Sequence, residues 1–170
     1  MLNSLTVMIA FLSATFCLMG SASGAEEPKG EKLKYTVYND YMGRADTGPD
    51  RPLSFLAITE QKGFDKAFAP AGLTGAGSGK VKGRVLLPEA AFDTQIVAAV
   101  VMYGKALVSY AVEDVTLGKD GTVCVRYTTK TSNEGGATFA CPLILSVPKA
   151  GVKKVVFVAD GKTVGTADVK

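Results

Sequence analysis

The stretch from Thr122 to Pro148 constrains the fold more than any other part of the chain. A β-rich run, Val123 to Thr129, leads into a polar segment carrying Gly135 and Gly136, and a second apolar run extends from Phe139 to Val147. Branched and aromatic residues of this kind suit a pleated, half-buried surface. With Lys130 set opposite Gly135 across a loop from Thr131 to Glu134, the runs form a hairpin in which Cys124 faces Cys141 and Arg126 faces Phe139. Facing Cβ atoms of antiparallel strands stand about 4.5–5.5 Å apart, close to the roughly 3.5–4.5 Å of a disulfide. A Cys124–Cys141 disulfide is therefore expected. The apolar phase opposes this alignment. Val123, Val125 and Tyr127 share a face that excludes Cys124, whereas Cys141 shares its face with Phe139, Leu143, Leu145 and Val147. A slip of one residue turns every side chain to the other face. Pro142 offers a resolution, because proline removes a ladder donor and marks bulges or edges, and a bulge shifts the phase of every later residue in the strand. The alternative is two buried thiols, since unpaired cysteine is among the most buried residue types.

Compartment bears on that choice, because disulfides persist where the surroundings are oxidising. Leu5 to Met19 is almost wholly apolar, and Ser21-Ala22-Ser23-Gly24-Ala25 is a run of small residues. This pattern reads as a secretory signal over residues 1–25, cleaved after Ala25. Its n-region lacks Lys and Arg. A retained anchor is the competing reading, but the apolar core falls short of the ~20 residues that cross a bilayer. Ala14-Thr15-Phe16 ahead of Cys17 does not resemble a lipobox. The expected product is an exported protein, periplasmic or extracellular, with no stable membrane span after processing. Its expected organisation is a flexible segment over 26–52 and a single β-rich domain over 53–170. The net charge of +3 is spread along the chain, with Lys149, Lys153 and Lys154 as its densest basic group. A solvated strand edge explains that group, and no nucleic-acid partner is expected.

Tyr35 to Tyr38 has brief strand character, and Asn39 to Pro52 reads as loop. Ser54 to Thr59 is a strand candidate. A short helix comes next, with Thr59 as N-cap, Glu60 in the first turn, and Phe64 and Phe68 on the face turned to the sheet. Pro70 and Gly72 end it. Gly72 to Gly83 is glycine-rich and holds Gly79-Lys80, but a phosphate-binding loop needs Gly at 74 and Ser or Thr at 81, where this chain has Thr74 and Val81. Arg84 to Leu87 has strand character, and Pro88 to Phe92 fits one helical turn. Ile96 to Tyr103 is a nearly continuous apolar run, the pattern of a strand buried on both faces. Leu107 to Leu117 alternates, Asp120-Gly121 and Asp160-Gly161 are tight-turn signals, and Val155 to Val158 and Thr163-Val164 are short strands. Short turns favour antiparallel neighbours. The predicted fold is α+β: a mainly antiparallel meander of five or six strands with one short helix packed on the sheet.

The chain contains no histidine. That excludes His-based triads, imidazole acid–base chemistry and most zinc sites. Cys141 has no histidine to activate it. Glu113 and Asp114 are adjacent on a strand, so they point to opposite faces rather than forming a dyad. Asp40, Asp46 and Asp50 have no EF-hand spacing. No catalytic, cofactor or metal site is expected, and Arg84 and Arg126 read as single solvated or ion-paired cations.

From Phe55 to Val158 the order of features resembles the C-terminal domain family of PrcB, a subunit associated with a bacterial protease complex. The resembling features are Phe64 and Phe68 on a helix, Phe92-Asp93 ahead of the apolar strand Ile96 to Val101, then Gly104 and Tyr110-Ala111-Val112. Cys141 and the segment Leu143 to Lys149, ending Val147-Pro148-Lys149, complete the match. The family's glycine-containing turn before the tyrosine is replaced here by Leu107-Val108-Ser109. The resemblance implies an exported mixed α/β domain that binds or assists a protein partner, in a protease or cell-envelope complex, and it supplies no catalytic residue. A small-ligand or carbohydrate-binding β-domain is the second expectation, with Tyr35, Tyr38 and Tyr41 as stacking surfaces.

Overall fold

The computed structural model describes residues 30–44, 52–71 and 86–170, with the side chains of 133–136 outside that description. The proposed signal segment, the glycine-rich loop from Gly72 to Gly83, and Asp46, Asp50 and Arg84 also lie outside it. The described elements are β1 (Glu31–Lys32), β2 (Thr36–Val37), β3 (Tyr41–Gly43), β4 (Leu53–Ile58), α1 (Gln61–Ala67) and β5 (Phe68–Pro70). Next come α2 (Ala91–Thr94), β6 (Gln95–Leu117), β7 (Thr122–Pro148), β8 (Lys154–Ala159) and β9 (Lys162–Asp168). The fold is mainly β, and the expected α+β meander is corrected in three respects. The main sheet has seven strands, a separate β3–β5 pair stands beside it, and β7 and β8 run parallel.

The parallel β7–β8 pair traces to the length of one hairpin. β6 has 23 residues and β7 has 27. At ~3.3 Å per residue a straight 23-residue strand would reach about 75 Å, far beyond a domain of this size. The hairpin bends instead. Its register runs evenly from Gln95↔Pro148 to Gly104↔Phe139, then shifts at Ala106↔Glu134 and again at Val108↔Thr131. β7 thus uses more residues than β6 around the corner, as bulges do, and bulges increase local twist and bend the strand. The sharpness of the turn is visible in one contact. The Tyr110 hydroxyl donates to the Cys141 carbonyl at 2.9 Å, although Cys141 pairs with Met102, further back along Tyr110's own strand.

Folding the hairpin over itself makes two layers. One contains β4, the first half of β6, the last half of β7, and β2. The other contains β1, the second half of β6, the first half of β7, β8 and β9. Ile96, Ala98, Val100, Leu143, Leu145 and Val147 of the first layer meet Val115, Val123, Val125, Tyr127, Val155 and Phe157 of the second in one buried cluster. Phe55 and Phe157 stack across it with ring centroids 5.2 Å apart. The bend also returns the end of β7 to its start. Lys149 N–H bonds to Thr94 at 2.8 Å and Lys153 N–H to Gly121 at 2.8 Å. β8 therefore enters beside Thr122 and runs along β7 in the same direction.

The alternate residues of the first layer, Val97, Ala99, Val101 and Ile144, point outward into a second cluster with Phe64, Phe68 and Phe92. This explains the unbroken apolar run at 96–101, where every residue is at most 1% exposed. Phe64 and Phe68 pack as expected, rings 5.2 Å apart. The helix itself is shorter than expected: Glu60 rather than Thr59 is the N-cap, and Phe68 already begins β5. Residues 30–44, within the segment expected to be flexible, carry β1, β2 and β3, each paired in a ladder. Both Asp-Gly turns lie where expected. Asp160 and Gly161 take φ values of 49° and 77° in a two-residue turn.

Candidate binding surface

The expected turn at 131–134 does not exist. Lys130 pairs with Ser109, Thr131 with Val108 and Glu134 with Ala106, so β7 continues through the polar segment. Cys124 stands opposite Thr116 and Cys141 opposite Met102. Both cysteines are buried and no disulfide joins them. The physical reason is the phase conflict between the two apolar runs. Both runs lie on one strand and turn their apolar residues to the same interior, so the alignment that brought the cysteines together would have separated those faces. Cys141 Sγ accepts a 3.4 Å hydrogen bond from the Val108 N–H.

The three tyrosines part company. Tyr38 is buried and shares a 3.2 Å hydrogen bond with Ser146 Oγ. Tyr41 is buried, accepts a hydrogen bond from Leu87 N–H at 3.0 Å, and meets Phe64 edge-on at 4.9 Å. Both are core residues, which leaves Tyr35, 38% exposed, as the one of the three able to stack on a ligand. Arg126 pairs with Asp114 at 3.3 Å across the β6–β7 ladder. The register shift between Val112 and Asp114 leaves Glu113 as the extra residue of a bulge.

The space between the layers holds the apolar cluster described above. The outer side of the hairpin bend is the most distinctive stretch. Lys105, Leu107, Ser109 and Ala111 are exposed along β6, and Lys130, Thr131 and Ser132 along β7. Leu107 is 52% exposed. The backbone here is held by its own side chains. Leu107 N–H donates to Ser132 Oγ at 3.1 Å, and the Ser109 hydroxyl donates to the Lys130 carbonyl at 3.4 Å. On the inner side Tyr110 and Tyr127 meet at 5.7 Å. Burial, then the neighbouring Cys141 and Tyr127, pushes the Tyr110 hydroxyl well above the usual tyrosine range. Burial, then the Asp160 carboxylate, pushes Tyr127 up to about 12. The bend presents an exposed apolar residue and two ammonium groups on a hydrogen-bonded backbone.

At the opposite end, a groove of about 390 Å³ runs past Glu31, Leu117, Lys119 and three glycines beside the β6–β7 turn. Among the described residues no group of acidic residues and cysteines could hold a metal ion. Among the same residues no helix is long and apolar enough to cross a membrane. The exposed bend was not singled out from the sequence; its one signal was an apolar residue, Leu107, out of phase with Val108, Tyr110 and Val112. The chain matches no family model, no curated protein and no solved structure.

Proposed function

We propose that this is an exported, non-enzymatic domain that binds a protein partner through the outer face of the hairpin bend. The observation that carries the reading is Leu107, 52% exposed on a stretch whose backbone is held in place. A preformed surface loses little entropy on docking, and an apolar residue ringed by polar and cationic side chains has the composition of a small interface centre with a polar rim. The absence of histidine and the resemblance to the PrcB C-terminal domain family point the same way, and the apolar leader points to a partner outside the cytoplasm.

The test is site-specific photocrosslinking in cells that export the protein. A crosslinker at position 107 should yield a discrete adduct with one protein, absent when the crosslinker sits at Val164, an exposed position on β9. Equal adduct patterns at both positions, or none at 107, would remove the bend as the binding face.

A further inference from the structure

We propose a second binding site, for a short peptide with both ends free, in the groove beside the β6–β7 turn. The groove, about 390 Å³, is lined by Glu31, Leu117, Gly118, Lys119, Gly121 and Gly151. That size lies at the lower end of the range for pockets that take small molecules. It forms where β1 runs beside the end of β6, Glu31 pairing with Leu117, and where the turn closed by Val152 N–H and the Lys149 carbonyl returns to Gly121. The site is independent of the hairpin bend and of the protein-binding reading.

The charges on the groove select the ligand class. Glu31 and Lys119 are both exposed, so a ligand in the groove can reach each of them. Among the described residues neither side chain has a hydrogen-bond or ion-pair partner. Asp120, the neighbouring carboxylate, is engaged by the Thr122 hydroxyl and N–H, which leaves Glu31 as the groove's acceptor for an ammonium group. An anion alone would suit Lys119 but be repelled by Glu31, and a cation alone would have the converse fault. A neutral molecule would leave both charges unanswered. A molecule carrying an ammonium and a carboxylate answers both. In a free amino acid one carbon bears the two charges. Glu31 and Lys119 instead stand on separate elements, β1 and the β6–β7 turn. Each added residue moves the ends of a peptide apart by up to about 3.3–3.6 Å. The fit is therefore to a di- or tripeptide, its amino terminus at Glu31 and its carboxylate at Lys119. Leu117 supplies an apolar contact between the two charges, and space remains at Gly151, where an added Cβ would meet nothing within 4 Å.

The experiment is two-dimensional amide NMR of the purified protein, titrated with alanyl-leucine and leucyl-alanine. The N-acetylated and C-amidated forms of both, and free leucine, are the comparison probes. At least one unblocked dipeptide should shift the signals of Leu117, Lys119, Gly121 and Gly151 in a saturable way, with no shift at Leu107. Blocking either end should weaken binding at least several-fold. Glu31→Gln should remove the preference for a free amino terminus, and Lys119→Gln the preference for a free carboxylate. The rest of each variant's spectrum should be unchanged, a pattern that loss of local structure would not give. No saturable shift with either dipeptide would overturn the proposal. So would blocked peptides that bind as well as free ones, a stronger response to free leucine, or variants that keep both preferences.

Discussion

The two arms of β6 show how one strand can be written in two different scripts. From Ile96 to Val101 every side chain is buried, because one face meets the second layer and the other meets α1, α2 and β5. From Lys105 to Glu113 exposed and half-buried residues alternate, because one face meets water. The backbone conformation is the same; the surroundings differ. A continuous apolar run therefore reports burial on both faces, and alternation reports burial on one. Gly104, where the run ends, is also where the even register ends.

If the inner arm carries the stability and the bend carries recognition, substitutions should separate along that line. The largest effect belongs to Phe157, fully buried between the layers and stacked on Phe55. Phe157→Ala should cost about 3–5 kcal/mol, measured by denaturant unfolding. Gly165→Ala tests closure of the layers at β4 and β9, because a Cβ there would overlap the Phe55 ring. It should cost about 1–3 kcal/mol by overpacking. A cost near zero would mean that β9 does not press on Phe55. Arg126→Ala removes a partly exposed pair with Asp114 and should cost roughly 0.2–1 kcal/mol. At the bend, Leu107→Ala should change stability by no more than about 0.5 kcal/mol while abolishing the crosslink formed from a crosslinker placed at the neighbouring exposed position Ala111. A large loss of stability there would make Leu107 a structural residue.

The pH dependence sharpens the same contrast. Tyr127, in the interior, is raised from 10.0 to about 12 by burial first and then Asp160. The fold holds the neutral hydroxyl, so this stabilisation is complete below pH 10 and declines as pH rises from 10 to about 12. Tyr127→Phe should flatten that decline in alkaline melting curves. Asp120, exposed at the turn, is lowered below 3.8 by hydrogen bonds from the Thr122 hydroxyl and N–H. Its contribution is present above 3.8 and is lost as pH falls through the lowered value. Asp120→Asn should remove a small acid-side dependence.

Much of the inner arm was legible. The apolar run, the packing of Phe64 and Phe68, and the Asp-Gly turns each carry a local signal that tertiary context did not overrule. The bend was not legible, because Ser132-Asn133-Glu134-Gly135-Gly136 has the composition of a turn and serves instead as the bulged part of a continuing strand. Reading it as a turn invited the pairing of Cys124 with Cys141. The apolar phase that argued against that pairing was the sounder evidence, since it is set by many buried side chains and the cysteine match by two. The parallel β7–β8 pair could not be read from local signals, because it depends on where a long strand returns. β2 lies within the Tyr35–Tyr38 stretch that reads as a brief strand, whereas β1 and β3, two and three residues long, are too short for a periodic pattern to register. The exposed bend shares this obscurity, since Leu107 is one residue on an alternating strand.

The bent hairpin itself is tested most directly by interstrand nuclear Overhauser contacts. Backbone contacts should place Arg126 beside Asp114 and Cys141 beside Met102, with parallel contacts between Val125 and Phe157. Contacts joining Arg126 to Phe139, or Cys124 to Cys141, would instead establish a turn at 131–134 and contradict the continuous strand.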